Sequence, residues 1–283
     1  MIKTSISNYK KLLNRALLAL EDRIDSIFPE GKFILVLDPD NPKEVKINIV
    51  LTSNGKGSFV KYTGKNYKIV IDTSYNDKED CYGVLAHEIT HISQAMNGFR
   101  DFDFSRSLED YKRKKYKNYN DYYNEEGHSK RYTESEANLV QFFIILDKRG
   151  INKGFDFLLE RSEYFKFGFK EFSKKSFLFG VSKETINLLR EKVIIYAREL
   201  LNLLEIRAVR EKDQFKLEDM FFSVVSNIKE LRNVMFMLNI NIDVFYLQLV
   251  RINDAILENG LVTQDYLQER FKRVSLEWFQ NLK

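Results

Sequence analysis

VLAHEITHISQAM, residues 84–96, holds two of the three histidines of this 283-residue chain: His87 and His91, four positions apart, with Glu88 beside the first. Val84, Leu85, Ile89 and Ile92 recur at helical spacing, Asn76 or Asp77 is suited to cap the start, and Gly98 to stop the end, so the stretch is expected on an amphipathic helix. On a helix, positions i and i+4 leave from one face. The two imidazoles can therefore converge on one point about 2 Å from each ring nitrogen, as a zinc ion requires. Glu88 leaves the axis about 100° away, which keeps it off the metal and within reach of a water in the open position. A carboxylate so placed suits a general base that takes a proton from an activated water and returns it to a leaving amine.

Working outward, the chain changes texture. All three prolines (Pro29, Pro39, Pro42) and half of the twelve glycines lie at or before position 98. An amphipathic helix is expected over 7–27, then β-branched and aromatic runs at 33–38, 45–52, 58–63 and 67–73, separated by DPDNP, SNGKG and GKN turns. These runs predict a small antiparallel or mixed sheet. The last of them, YKIVIDT, directly precedes the histidine helix and is either an edge on which an extended peptide could lie or ordinary sheet core. Residues 99–130 are polar and tyrosine-rich and suit a lid or substrate-binding insertion. A helix is expected over 131–147, and beyond 152 only helices, at 182–205, 216–238, 241–259 and 263–281, with Ser182, Asn241 and Thr263 as starters. The pattern divides the chain into a catalytic region over 1–150 and an all-helical part over 151–283.

Two histidines do not complete a catalytic zinc site, and the third ligand decides the class. A third histidine six residues after His91 would mark a metzincin, but that position is Asn97. Three candidates remain: His128, Glu134 and Glu136. The segment 131–138, RYTESEAN, resembles the gluzincins, the thermolysin-like zinc metallopeptidases in which a downstream helix supplies a glutamate in an ExxA or ExxxD/N arrangement. Glu134, Ala137 and Asn138 match that pattern, and ESEAN is also similar to the EAN-containing helix of ImmA/IrrE-type regulatory peptidases. The resemblance covers about residues 67–147 and implies Glu134 as third ligand, with Glu136 as its rival and His128 behind both. A small residue one turn after the glutamate lets two helices approach closely, and Asn138 could offer its side-chain oxygen to a ligand histidine's second N–H. Gluzincins also supply a tyrosine or histidine to the oxyanion; Tyr111, Tyr116, Tyr119, Tyr122, Tyr123, Tyr132, His128 and Arg131 are the nearby stock.

Composition sets the remaining bounds. Lysine and arginine number 45 against 41 aspartates and glutamates, a balance that selects neither nucleic acid nor membrane, and acidic neighbours dilute the KRKKYK run at 112–117. The single cysteine, Cys81, permits no internal disulfide, the first residues carry no uninterrupted apolar core, and no apolar run nears the roughly 20 residues that span a bilayer, so an intracellular location is expected, with virion association as the variant. The expectation is thus an α+β protein with a zincin-like region, zinc as cofactor and a polypeptide as substrate. The alternative is a structural or assembly protein, viral in one version, that keeps the scaffold without general proteolysis.

Overall fold

In the computed structural model, a four-stranded sheet and a predominantly helical remainder make the chain an α+β protein. Residues 31–36, 44–52, 57–62, 66–72, 78–96, 132–267 and 269 are described. The helix expected over 7–27, the tyrosine-rich segment 99–130, His128 and Arg131 lie outside them. Two compact units divide the chain: residues 1–166 with 173–182, and residues 167–172 with 183–283. The boundary expected at 150 falls instead inside a helix, and most of the next thirty residues belong to the first unit.

In the first unit, β1 (Gly31–Val36), β2 (Glu44–Thr52), β3 (Phe59–Tyr62) and β4 (Asn66–Asp72) pair in the order β1-β2-β4-β3. β2 and β4 run parallel, and the outer pairs are antiparallel. YKIVIDT is therefore core, not edge: Ile69, Val70 and Ile71 are all buried, as a strand with neighbours on both sides and cover on both faces requires. The edge is β3. Its start is latched to the end of β4, where buried Asp72 accepts a hydrogen bond from Gly57 N–H at 2.9 Å and donates its own N–H to Ser58 Oγ at 2.9 Å. Gly57 makes that turn with φ +81°, which a residue with a Cβ resists.

Helix α1 (Lys78–Met96) lies on the sheet with Leu85, Ile89 and Ile92 buried. Helix α2 (Tyr132–Glu160) packs against it. The pair is antiparallel: Gly83 meets Gln141 and Ile145, whereas His87 and His91, further along α1, meet Glu134 near the start of α2. A Cβ on Gly83 would sit 3.1 Å from Gln141 Cγ and Ile145 Cγ1, so the glycine sets how closely the helices approach. Ala137, fully buried, stands one turn from both Glu134 and Gln141 on the same stripe, in keeping with the small-residue expectation.

At Gly150 the backbone of α2 leaves helical geometry (φ 77°, ψ −176°), a conformation essentially reserved for glycine. The following turns fold back, since Gly154 comes against Leu146 and Phe142. Phe157 and Phe142 both pack edge-on against Phe165, at 6.4 and 6.0 Å between ring centres, which fixes the return. A 3-10 turn, Ser162–Tyr164, follows, then α3 (Phe169–Leu178), whose Lys175 reaches Glu136 of α2 at 2.7 Å.

The second unit is helical: α4 (Lys183–Arg210), α5 (Gln214–Glu230), α6 (Arg232–Met237), a 3-10 turn at Ile242–Phe245, α7 (Tyr246–Glu258) and a short turn at Gln264–Tyr266. Thr263 caps the last as expected, accepting from Tyr266 N–H. Asn241 accepts from Asp243 N–H, so its turn is 3-10 and α7 starts later than 241. The single helix expected over 216–238 is instead two, α5 and α6, which meet at buried Leu231. Asn259 closes the end of α4, donating to the carbonyls of Ala208 and Glu211 that no later turn could satisfy. No helix among the described residues is long and apolar enough to cross a membrane.

Candidate metal centre

His87 and His91 leave the same face of α1, with Nε2 atoms 3.1 Å apart and rings nearly perpendicular. From α2, Glu134 Oε2 lies 3.4 Å from His87 Nε2 and Glu134 Oε1 lies 3.5 Å from His91 Nε2. The expected glutamate thus meets the expected histidines, and the three side chains form a group able to hold a metal ion. Protons satisfy such a triangle poorly. If both Nε2 atoms carry hydrogens for the carboxylate, two N–H groups face each other at 3.1 Å; a cation between them accepts lone pairs from all three corners.

The electrostatics suit that occupant. Burial drives the pKa of His87 down, outweighing the hydrogen bond to Glu134 that would raise it, and the charge of His91 lowers it further. Neutral imidazole is the ligand form. Burial pushes the Glu134 carboxyl the other way, but its hydrogen bonds to His87 and His91, and their charge, hold it well below the ordinary carboxylate range. With both imidazoles in the ligand form, the donor set is two nitrogens and one carboxylate, which fits a divalent cation.

Glu88, only 6% exposed, stands beside the triangle and not in it. Burial pushes its pKa up to about 7, against the charge of His91, with the charge of Glu134 adding to the rise; a hydrogen bond from Val60 of β3 works in the opposite sense. The edge strand consequently touches the acid–base candidate directly, a link the sequence did not reveal because β4 had been the strand considered.

Two expectations change. Asn138 does not orient a histidine: its Nδ2 donates to the carbonyl of Glu134 at 2.9 Å, a bond within its own helix. His87 Nδ1 is buried with no hydrogen-bond partner among the described residues, so packing sets the ring's orientation. Glu136, the rival ligand, is two positions from Glu134 and leaves another face of α2, where Lys175 engages it at 2.7 Å. His128 and the tyrosines of 111–123 lie outside the described residues, and of Tyr132 only the backbone is described.

Two residues that the sequence pattern did not single out couple electrostatically to the group: the charge of Arg161 contributes to lowering the pKa of His87, and Tyr164 feels the charge of Glu134. Burial raises the pKa of Tyr164, helped by the carboxylates of Glu163 and Glu134, which keeps the phenol protonated and able to donate. Arg161 opens the 3-10 turn, its guanidinium 5.8 Å from the centre of the Tyr164 ring. The only sequence signal was the R-x-x-Y spacing just after the long helix, which carries meaning only once Gly150 has turned that helix back. No family model matches the chain, no curated protein matches it, and no solved structure matches its fold.

Proposed function

We propose that the chain is a zinc-dependent metallopeptidase of gluzincin type, with His87, His91 and Glu134 as zinc ligands and Glu88 as general base. The observation that carries this reading is the convergence of His87, His91 and Glu134, with the Nε2 atoms 3.1 Å apart and a Glu134 oxygen 3.4 and 3.5 Å from each, beside a buried glutamate. Two imidazoles and a carboxylate are a donor set that catalytic zinc takes. A sheet whose edge strand borders the HExxH helix, with an antiparallel helix returning the glutamate, is the zincin arrangement the resemblance implies.

When bound, zinc would polarise the scissile carbonyl and make a water acidic enough to be deprotonated near neutral pH. Glu88 takes that proton as the C–O bond forms and delivers it to the amide nitrogen as the C–N bond breaks. A carboxyl whose pKa is pushed up to about 7 is suited to both transfers.

Elemental analysis and peptide-library turnover, with and without chelator, test this. One zinc per chain is expected. Glu88→Gln should keep it while hydrolysis falls at least about a hundredfold. Retained hydrolysis in that variant, or a protein that takes up no zinc, would sink the mechanism. Stoichiometric zinc without turnover of any peptide would return the chain to the reading of a binding or assembly protein.

A further inference from the structure

Strand β3 is the open edge of the sheet: β4 pairs with one side of it, and no described strand pairs with the other. It also packs against α1, the helix that carries Glu88. The register sets Phe59 across from Val70 and Lys61 across from Lys68. Side chains alternate along a strand, so these four stand on one face, opposite to the one where Ile69 and Ile71 are buried. Phe59 is 46% exposed, Lys61 is exposed and Lys68 half-buried. Two lysines directly opposite each other repel, and the pair costs stability unless an anion joins it. Neither has a carboxylate partner among the described residues. One edge lysine has an ordinary use, since it discourages indiscriminate pairing with other chains. A second one, on the interior strand β4, adds nothing to that guard and creates the repulsion.

We propose that β3 takes an extended acidic segment of a polypeptide by strand addition, with a carboxylate of that segment lying over Lys61 and Lys68. The inference rests on the metallopeptidase reading only in calling the segment the substrate, whose class it then specifies. A strand added antiparallel to β3, the more stable sense of pairing, sets every second side chain over this face. The residue across from Lys61 is then followed, two positions on, by the residue across from Phe59. The recognised pattern is therefore acid-x-apolar, read from N- to C-terminus. Lys61 is the direct cross-strand partner of the acid, and the flexible four-carbon stem of Lys68 lets its charge reach the same carboxylate. The turn at Gly57, tied to Asp72, fixes the start of β3 before a peptide arrives, which lowers the ordering cost of binding.

Fluorescence anisotropy on the zinc-loaded Glu88→Gln protein, and on the same protein stripped of zinc, tests this without turnover. Three labelled probes suffice: the end-blocked peptide Ser-Thr-Asp-Thr-Phe-Thr-Ser and its versions with asparagine or lysine in place of aspartate. At low salt the aspartate probe is expected to bind at least about fivefold more tightly than the asparagine probe, and high salt should shrink that margin. Lys61→Glu should invert the order, so that the lysine probe binds best. Lys61→Gln and Lys68→Gln should each raise the urea midpoint of the peptide-free protein, because the repulsion is relieved. Equal affinities for the aspartate and asparagine probes, no binding of any probe, an aspartate preference that survives Lys61→Glu, or urea midpoints lowered by both glutamine variants would overturn the assignment. Tighter binding of a single-stranded oligothymidylate than of the aspartate probe would overturn it too, giving the face to nucleic acid. A protein that loads no zinc sinks the metallopeptidase reading alone, since the aspartate preference is read equally without metal and the segment is then a ligand, not a substrate. Zinc loading with equal affinities sinks the lysine assignment alone.

Discussion

Glu134 and Glu136 are two residues apart on one helix and have opposite tasks. Glu134 is 5% exposed and faces two imidazoles; Glu136 is half-buried and faces Lys175, itself 6% exposed. Glu134→Gln should weaken zinc binding at least about a hundredfold, measured by competition with a chromophoric chelator, since one charged ligand of three is lost. Glu136→Gln should leave zinc affinity within about twofold, since it touches no ligand, but lower stability by about 2 kcal/mol in urea. Stranding a buried charge costs about 3–5 kcal/mol, and partial exposure of Glu136 reduces that. Reversal of this pattern would exchange the two roles.

Glu88 gives a signed pH prediction for the metal-free protein. Its folded pKa, about 7, is above the ordinary value of 4.5, so the fold favours the protonated carboxyl. That contribution is fully present below about pH 4.5 and is lost as pH rises through 7. At 1.36 kcal/mol per pH unit, wild type should lose about 3 kcal/mol relative to Glu88→Gln between those limits. Urea midpoints of the two proteins across that range check it, and parallel curves would show that Glu88 is solvated.

Between elements, the decisive device is Gly150. Positive φ with ψ near 180° excludes a side chain at a cost of about 1–3 kcal/mol, and the reversal there returns Phe157 to Phe165 and Phe142. Gly150→Ala should lower the urea stability of the first unit by that amount. An unchanged midpoint would show that the turn accepts a Cβ. Nothing in the apolar pattern announces the reversal: residues on both sides read as helix, and the expected stop at 147 registered a change of texture without its direction. By contrast, the helical span and apolar face of α1 were legible, since their periodicity is local; Asn76, Asp77 and Gly98 lie outside the described residues.

For the molecule as a whole, the centre lies inside the first unit, with ligands from α1 and α2 alone. Zinc should therefore stabilise that unit, by about 2.7 kcal/mol at a free concentration a hundred times Kd. Hydrogen exchange with and without chelator should slow in 78–96 and 132–149, while 183–258 should be unaffected. Equal protection of both units would require a coupling between them.

The local sequence determined the pieces: the histidine helix with His87 and His91 on one face and Glu88 beside them, the strand-forming runs, the helical second half, and the glutamate that resemblance singled out. Each follows from interactions within a few residues, where periodicity, capping and turn chemistry speak directly. Tertiary structure alone decided that β3 and not β4 is the edge against Glu88, that Lys175 claims Glu136, that Asn138 bonds its own helix, and that the segment after Gly150 folds back on α2. Those outcomes depend on contacts between segments far apart in the chain, and such contacts are chosen by packing and by the one glycine that lets the backbone turn back, not by the pattern of any single segment.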